Sequence, residues 1–391
     1  MSLTEHARHP SRPAAAGSRL DVVHVIATLT PGGAERQLEM LTARSRHRTR
    51  VIVLYESGGI AESMRAAGEP VEELQSSGWR KALLPLTLAR RLRRLRPDVV
   101  HVHLLSAQVM ALPAARLARV PVVVSTEHSL MEDTLEGRPH TWWLRLLYQV
   151  LERLTTHTVA VSAVTAHHLR QWGVHLDRIS VVDLGIDFEA VAYDAVGRQR
   201  VRRELAIGPD TLVVGAVGRL EGQKRIDIAL RACAPLLRDG AVLVVAGAGP
   251  LLAELRSLAG ELGVADQVHW LGSRPRMGEV YGAMDVLLSA SADESFGMAV
   301  VEAVGSGLPV VHAACPALEE LPELPQVSHV RPSGDATVDA ERLGDALAAS
   351  SAAFGQRRWP APAVLLEAYG AQAAADRVDA VYDRLPARHR G

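Results

Sequence analysis

The chain has 391 residues, of which 48% are apolar and 22% charged, so it is long enough for two globular domains and too apolar to be disordered. Its formal net charge is −1, from 43 Lys and Arg against 44 Asp and Glu, which leaves no bulk positive field to attract nucleic acid. The two cysteines, Cys233 and Cys315, are too few for a disulfide framework and lack the spacing of a zinc site.

The first residues carry no recognisable targeting signal. Residues 1–19 are polar and rich in Pro, Ala and Arg, without the apolar core of a signal peptide. No run in the chain approaches the roughly 18 uncharged apolar residues that a membrane-spanning helix needs. We therefore predict a cytoplasmic protein in which residues 1–19 form a disordered tail.

From residue 21 onward, short apolar runs alternate with amphipathic segments. Near-continuous Val, Ile and Leu runs separated by helices are typical of a parallel sheet that is covered on both faces. The predicted strands of this first series are 22–29, 51–55, 99–103, 122–126 and 158–162. The predicted helices are 34–44, 61–67, 83–95, 106–117, 141–154 and 163–171.

A second series of the same kind begins at residue 212, and a linker is predicted at about 184–205. We predict an α/β protein of two Rossmann-like domains that face a cleft, because such sheets bind ligands at the carboxyl ends of their strands. The predicted strands of the second series are 212–217, 242–246, 268–271, 286–289 and 310–312, and a last amphipathic helix covers 361–385.

A pair of glutamates in the second series suggests a site for hydroxyl groups. Glu294 lies in a loop, and Glu302 follows after seven intervening residues, about two turns along the helix that the loop opens. Their carboxylates can accept hydrogen bonds from the hydroxyls of a sugar and of a ribose. Small residues in 296–299 let backbone N–H groups face a ligand at the start of the helix, which favours a diphosphate.

Two strand-to-helix loops carry residues that suit a phosphate. Arg219 and Lys224 lie five residues apart, where a guanidinium and an ammonium can neutralise a diphosphate. Lys224 is one of only two lysines in the chain, which favours a role that needs an ammonium group. In the first series, Gly32 and Gly33 precede a helix and allow a phosphate to approach the backbone closely.

Four histidines occur at or near strand ends of the first series. His128 follows the strand 122–126, whereas His101 and His103 share one strand and His24 lies on another. Because these strands are separate and no H-x-x-x-H pattern is present, we expect no metal site. No D-x-D triplet is present either, which argues against a Mg²⁺-dependent transferase of the GT-A type.

These motifs resemble those of the retaining GT-B glycosyltransferases of family 4 (glycosyl transferases group 1), over residues 22–311. The similar features are the E-x7-E region that begins at Glu294, the Gly-Arg-Leu segment that leads to Lys224, and the Gly-Gly-Ala-Glu loop at Gly32. The resemblance implies a GT-B fold, with an acceptor-binding domain at 20–185 and a donor-binding domain at 186–360. The segment 361–391 is then expected to cross back to the first domain.

The resemblance also implies transfer of a sugar, with retention of configuration, from a nucleotide diphosphate sugar to an acceptor that the sequence does not identify. A UDP-sugar is the expected donor, and neither a metal nor another cofactor is expected. The implied catalytic residues are His128, Arg219, Lys224 and Glu294. The implied donor-binding residues are Gly32, Gly33, Arg274, Phe296, Gly297, Met298, Ala299 and Glu302.

Three departures from the family pattern affect these expectations. Arg225 stands where glycine is common, and Leu184 stands in place of the asparagine of an Asn-Gly-x-Asp segment. Downstream of residue 311, the usual glycine-rich loop is replaced by 313–321. The shape of the donor site, and therefore the sugar, stays open.

Other interpretations remain open at this stage. A non-hydrolysing nucleotide-sugar epimerase has a similar double-Rossmann cleft, and a non-catalytic partner that binds a sugar nucleotide would share its binding residues. The segment 79–96 is basic and amphipathic, so it could lie on an anionic membrane. The favoured alternative is a surface helix whose leucines pack on the sheet while its arginines stay in water.

Overall fold

The computed structural model describes residues 19–30, 32–74, 82–354 and 358–385. Residues 1–18 of the predicted tail, residues 79–81 of the basic segment and residues 386–391 lie outside these ranges. Among the helices within them, none combines the length and the apolar character needed to cross a bilayer.

The first domain is built on a parallel sheet of seven strands, whose apolar side chains are buried on both faces. The strands are β1 (Asp21–Leu29), β2 (Arg48–Ser57), β3 (Val71–Glu73), β4 (Val99–His103), β5 (Val122–Glu127), β8 (His157–Ala160) and β9 (Ile179–Val181), with a separate hairpin of β6 (Thr134–Leu135) and β7 (Arg138–Pro139). Their order in the sheet is β3-β2-β1-β4-β5-β8-β9.

Helices cover both faces of this sheet. One face is covered by four helices, α3 (Leu84–Leu95), α4 (Leu105–Leu117), α5 (Trp142–Glu152) and α6 (Ala163–Gln171). The other face is covered by α1 (Gly33–Arg44), α2 (Gly59–Ala66) and the last helix of the chain. In α3, Leu84, Leu88 and Leu92 are buried and the outward arginines are exposed, as the surface-helix interpretation of this segment describes, whereas Leu86 stays exposed.

The second domain has a parallel sheet of six strands. The strands are β10 (Val213–Val217), β11 (Val242–Ala246), β12 (Val268–Gly272), β13 (Val286–Ser289), β14 (Val310–His312) and β15 (Val327–His329), in the order β12-β11-β10-β13-β14-β15. The helices of this half are α7 (Ala195–Glu204), α8 (Ile226–Arg238), α9 (Leu252–Glu261), α10 (Met277–Ala283), α11 (Met298–Gly305), α12 (Pro316–Glu319) and α13 (Ala336–Phe354). Two parallel sheets of this kind confirm the predicted α/β fold class.

The sequence missed three short strands, β3, β9 and β15, which all lie at sheet edges. Each has three residues, Val-Glu-Glu, Ile-Ser-Val and Val-Ser-His, and none of these residues is fully buried. An edge strand pairs on one side only, so it does not need the apolar run by which a central strand is recognised. The hairpin β6–β7 was missed because each of its strands has only two residues.

The prediction of one continuous helix at 361–385 is wrong. Two helices, α14 (Ala363–Tyr369) and α15 (Ala371–Arg384), meet at Gly370. At this break Ile186 of the linker donates its N–H to the carbonyl of Tyr369, at 2.7 Å, and accepts from the N–H of Ala371, at 3.0 Å. The chain therefore leaves the helical path where the linker uses its backbone groups.

The last helix, α15, packs on the first sheet. Val378, Val381 and Tyr382 join strand residues such as Val22 in one buried cluster. Beside them, the buried carboxylate of Asp379 accepts a hydrogen bond from the hydroxyl of Ser45, at 2.7 Å, and from the N–H of Arg46, at 2.8 Å. The end of the chain is therefore attached to the first domain by apolar packing and by a charged acceptor.

We expect Asp379→Ala to lower the free energy of unfolding by about 3–6 kcal/mol, because two donors lose a charged acceptor and each such bond contributes about 1.5–3 kcal/mol. Urea unfolding monitored by circular dichroism measures the change. Asp376→Ala is the matched control: this aspartate lies one turn earlier on α15, is exposed, and accepts only from Gln372 among the described residues, so it should change stability by less than about 0.5 kcal/mol. Equal effects of the two changes would contradict the attachment.

Candidate active site

The two domains contact each other where the strands of both sheets end. The side-chain amide of Gln37 on α1 lies 3.9 Å from the sulfur of Met298 on α11. Nearby, Arg36 donates to the carbonyl of Arg274, at 3.4 Å. A Cβ atom added at Gly33 would lie 3.4 Å from the same Met298 sulfur. The predicted glycine loop and the predicted donor helix therefore face each other across a narrow cleft.

The start of α11 is shaped by the core beneath it. Gly297 has φ +94°, and a Cβ atom there would lie 2.5 Å from the sulfur of Cys315, so only glycine fits. The ring of Phe296 is buried and packs edge-on against Tyr369, with 5.1 Å between the ring centres. Phe296 therefore supports the loop from below, and a ligand would meet its backbone instead of its ring.

The first turn of α11 offers backbone donors at the cleft. Val300 and Val301 both donate to the carbonyl of Gly297, whereas the N–H groups of Met298 and Ala299 have no acceptor within the described part of the chain. Glu302 is the fifth residue of α11, about one turn from its start, not two turns as the sequence suggested. Two free N–H groups at a helix start suit an anion.

Lys224 and Glu294, which the sequence assigned to one site, form an ion pair. The ammonium nitrogen of Lys224 lies 2.5 Å from a carboxylate oxygen of Glu294. The carboxylate is nearly inaccessible to solvent, while the lysine side chain keeps 22% of its exposure. The two groups therefore neutralise each other near the start of α11.

Arg219 lies on the same side of the cleft as Lys224 and is 57% exposed, with Glu221 at 3.2 Å. The positive charge of Arg219 interacts electrostatically with Glu35 in the first turn of α1. Burial raises the pKa of Glu35, while a backbone N–H and then the positive charge of Arg219 counteract this, and Glu136 adds to the increase. Arg219 is therefore the cation that faces the Gly32-Gly33 loop from the second domain.

Glu302 is held by residues that the sequence did not single out. The hydroxyl of Tyr281 donates to its carboxylate at 2.7 Å. Burial raises the pKa of Glu302, and the Tyr281 hydroxyl and the charge of Arg36 both counteract the increase. Arg36, from the first domain, therefore lies beside the donor helix. Its place one turn into α1, three residues after Gly33, was the signal that could have identified it.

Arg274 differs from the other predicted donor-binding residues. Its guanidinium pairs with Glu204 on α7, and its carbonyl accepts from Arg36. The backbone of Arg274 therefore lies at the cleft, while its guanidinium is paired with Glu204 at the surface.

His128 is buried at the end of β5, and its Nε2 shares a hydrogen bond of 3.3 Å with Nδ1 of His103. The Nδ1 atom of His128 has no partner within the described ranges. Burial lowers the pKa of His128 to about 4, so the ring is neutral at pH 7. A neutral imidazole can both donate and accept a hydrogen bond, and in His128 the nitrogen without a partner is itself buried.

The expectation that separate strands keep the other histidines apart is wrong. In the parallel register His24 lies opposite His101, and their ring nitrogens and those of His103 lie within 4.8 Å of one another. These nitrogens are already in use: His24 bonds to His103 at 3.1 Å, and His101 bonds to Tyr382 and Thr126 at 2.6 Å each. Three imidazoles could hold a metal ion only if these bonds were broken.

The carboxylate of Glu127, the residue before His128, has a strongly shifted pKa. Glu127 is fully buried, and burial, followed by the charge of Glu136, raises its pKa to about 8. The hydroxyl of Tyr148 donates to it at 3.2 Å. Glu136, which the sequence did not identify, accepts from the N–H of Leu105 at the start of α4, at 2.5 Å. A pH near 7 therefore leaves Glu127 largely protonated.

Buried neutral histidines should make the fold sensitive to acid. Burial lowers the pKa of His24 to about 3, and those of His101 and His103 lie well below 6.5. Below pH 6.5 these histidines bind protons in the unfolded chain but stay neutral in the folded chain. The free energy of unfolding should therefore fall by about 1.4 kcal/mol per pH unit for each such histidine. This contribution is complete above pH 6.5 and, for His24, is lost as the pH falls towards its folded-state pKa of about 3.

Urea unfolding between pH 7.5 and pH 5 measures this dependence. We expect His24→Gln to reduce the slope of stability against pH by about one proton. Val22→Ala, on the same strand and equally buried, should lower stability at every pH without changing the slope. Identical slopes for His24→Gln and the unaltered chain would show that the pKa of His24 is the same in the folded and the unfolded chain.

Comparisons with known proteins cover both halves of the chain. Residues 31–190 match the family described as Glycosyltransferase Family 4, and residues 197–323 match Glycosyl transferases group 1. A D-inositol 3-phosphate glycosyltransferase of Mycolicibacterium gilvum is 34% identical over 277 residues, which are 66% of this chain and 60% of that protein. The enzyme of the same name from Mycobacterium marinum is 36% identical over 236 residues, 56% of this chain and 48% of that protein. The chain thus spans about half to three-fifths of these relatives.

Solved structures share the fold. The crystal structure of Anabaena Alr3699/HepE in complex with UDP and glucose superposes with a TM-score of 0.80 at 21% identity, covering 94% of this chain and 100% of that one. WaaG, a glycosyltransferase involved in lipopolysaccharide biosynthesis, superposes with a TM-score of 0.64 at 20% identity, covering 93% and 95%. At these identities the likeness concerns the fold, and it confirms the GT-B prediction. With both halves matched and the E-x7-E helix facing the glycine loop, the chain belongs to the family 4 (group 1) glycosyltransferases of GT-B fold.

Proposed function

We propose that this chain transfers a sugar from a nucleotide diphosphate sugar to an acceptor hydroxyl, with retention of configuration and without a metal ion. The observation that carries this proposal is the ion pair of Lys224 and Glu294, 2.5 Å apart, at the free N–H groups of α11. A sugar diphosphate offers each partner a replacement: a phosphate oxygen for the ammonium group, and a sugar hydroxyl for the carboxylate.

A UDP-sugar is the donor that we propose. The neighbours in fold include HepE in complex with UDP-glucose and with UDP, and the relatives reported above are named D-inositol 3-phosphate glycosyltransferases. Glu302, held by Tyr281 beside Arg36, is the residue that we assign to the ribose. Arg219, exposed on the other side of the loop, is assigned to the diphosphate together with Lys224.

The proposed step needs no protein nucleophile. The bond between the anomeric carbon and the phosphate oxygen breaks, the acceptor oxygen forms a new bond to that carbon on the same face, and the acceptor proton moves to the departing diphosphate. Lys224, Arg219 and the N–H groups of α11 stabilise the negative charge that grows on the diphosphate. The neutral imidazole of His128 and its neighbouring carbonyl would face the positive charge at the anomeric carbon.

The same charges support the proposal that no metal ion is needed. The positive groups of Arg219 and Lys224, with the helix start, occupy the role that Mg²⁺ has in other transferases. Turnover of UDP-sugars with an acceptor panel, in the presence of EDTA, tests the proposal directly. An epimerised donor formed without acceptor would favour an epimerase instead. Donor binding measured by thermal shift, with no turnover on any acceptor, would favour a binding protein.

We expect Arg219→Ala and Lys224→Ala each to lower kcat by roughly 100-fold or more, because each removes a charge that acts on the transition state. Arg203→Ala is the control, since Arg203 is exposed on α7 and, among the described residues, contacts only its own helix. Steady-state kinetics with saturating donor separates kcat from KM. Turnover near that of the control in both variants would exclude the two residues from the site.

The two glutamates should differ in what they bind. Glu302→Gln should weaken binding of the free nucleoside diphosphate as much as that of the full donor, by roughly 10- to 150-fold for one hydrogen bond involving a charged group. Glu294→Gln should leave the free nucleotide nearly unaffected and reduce turnover and discrimination between sugars. Isothermal titration calorimetry measures both affinities. If the variants respond alike to the free nucleotide, the assignment of ribose to Glu302 and of sugar to Glu294 is wrong.

A further inference from the structure

The side chain of Gln37, in the second turn of α1, is buried and reaches the linker between the two domains. Its amide oxygen accepts a hydrogen bond from the N–H of Gly185 at 3.0 Å, and its amide nitrogen donates to the carbonyl of the same residue at 2.5 Å. Among the residues that the structure describes, these two backbone groups of Gly185 have no other partner. A side-chain amide of the first domain therefore takes the place that a peptide group would have beside the linker.

Gly185 lies in a narrow gap between α1 and α15. A Cβ atom built there would lie 2.6 Å from the Cε atom of Met40, 2.8 Å from the Cβ atom of Ala374 and 3.1 Å from the Cα atom of Ala371. Met40 belongs to α1, and both alanines belong to α15. The end of the methionine can turn aside, but the alanines can move only with their helix. Glycine is therefore required at this point because the linker passes so close to two helices.

The two segments of chain that connect the domains are bonded to each other at the same place. Ile186 pairs through its backbone with Tyr369 and Ala371, on either side of the break between α14 and α15. Tyr369 packs in the core of the second domain, whereas Ala371 packs against α1 of the first. A rotation of one domain against the other would therefore pivot at this joint, which Gln37 attaches to α1.

The same glutamine contacts the donor helix. Its amide lies 3.9 Å from the sulfur of Met298, the first residue of α11, whose N–H has no acceptor within the described ranges. That sulfur is also the atom that a Cβ built at Gly33 would approach, at 3.4 Å. Gln37 therefore contacts the joint and the start of α11 at once, at the place where this helix faces the glycine loop.

We propose that Gln37 is a positioning residue of the transfer reaction, which holds the start of α11 at a fixed distance from the glycine loop through its contacts with Gly185 and Met298. Its effect on turnover rests on the function proposed above, whereas its effect on the arrangement of the domains does not. Groups that react while held by two different domains need such a fixed distance, since a misplacement of about 1 Å can lower a rate by roughly 100-fold.

Distances between spin labels test the arrangement of the domains without a substrate. The labels are attached at Ser63→Cys on α2 and Ala253→Cys on α9, both exposed, in a chain whose native Cys233 and Cys315 are buried. Pulsed electron paramagnetic resonance should give a narrow distribution of distances in this labelled chain. Gln37→Leu should broaden the distribution, because leucine fills a similar volume but cannot bond to the linker.

Gln108→Leu is the matched control for this measurement. Gln108 is as buried as Gln37 and lies on α4 of the same domain, and its amide nitrogen has no partner in the described part of the chain. The control therefore removes a buried glutamine without removing a bond to the linker, and it should leave the distribution unchanged.

Gly185→Ala disturbs the same contact from the side of the linker, because the added Cβ atom has to push the linker away from α15. It should broaden the distribution as Gln37→Leu does. This second variant also keeps the test decisive if one of the two does not fold. Circular dichroism and urea unfolding check that each variant is folded.

Turnover separates positioning from donor binding. Gln37→Leu should lower kcat about tenfold or more, while the affinity for free UDP, measured by isothermal titration calorimetry, stays nearly unchanged. The reason is that the side chains assigned to the nucleotide, those of Arg219, Lys224 and Glu302, all belong to the second domain, and Gln37 bonds to none of them.

Three results would overturn the proposal. The distribution in Gln37→Leu could be as narrow as in the unaltered chain, or no broader than in Gln108→Leu. The distances could broaden while kcat stays the same, so that transfer would not need the fixed arrangement. The affinity for UDP could fall as much as kcat, which would place Gln37 in the nucleotide site. If the unaltered chain transferred no sugar to any acceptor, the proposed function would fail, and the distances would still decide whether Gln37 arranges the domains.

Discussion

Parallel strands that are covered by helices on both faces can satisfy their backbone groups only by pairing with one another, and every strand then ends at the same edge of its sheet. This constraint governs the whole molecule. It brings the glycine loop after β1 and His128 after β5 to one edge of the first sheet. It brings Arg219 after β10 and Glu294 after β13 to one edge of the second. The helix α15 and the linker then hold the two edges facing each other, through Asp379 and through the pairing of Ile186 with the residues on either side of Gly370.

At that edge the charges are arranged in pairs that a ligand can exchange. Lys224 and Glu294 neutralise each other, so neither is left as an isolated charge in a partly dry site. In the proposed function, a diphosphate at the start of α11 would compete for the lysine and release the carboxylate, so that one charged partner replaces another. Glu302 and Tyr281 form a second hydrogen-bonded pair further along the helix. The two pairs are compatible with the proposed assignment of the sugar to Glu294 and of the ribose to Glu302.

Beneath its half of the cleft, the first domain contains a group of buried histidines. Four imidazoles are removed from water there, and this is tolerated because they bond to one another, to Thr126 and to Tyr382, and because burial keeps them neutral. Neutral rings in a chain of hydrogen bonds fix the orientation of His128 without placing a charge beside it. The cost of this arrangement appears only in acid, where the unfolded chain gains protons that the folded chain cannot take.

Local patterns in the sequence determined most of the strands and the loops that carry Gly32, Arg219, Lys224 and Glu294, because apolar runs and the residues that follow them are properties of neighbouring positions. Tertiary structure alone decided which distant groups meet. The register of β1 against β4 gathered the histidines, and the approach of the two domains placed Arg36 beside Glu302. Packing against Tyr369 turned Phe296 inward, and the pairing with Ile186 divided the last helix at Gly370. Each of these outcomes depends on a contact between segments far apart in the chain. The buried side of α5 could not be predicted for a related reason: both sides of that helix are apolar, and only the fold decides which side it buries.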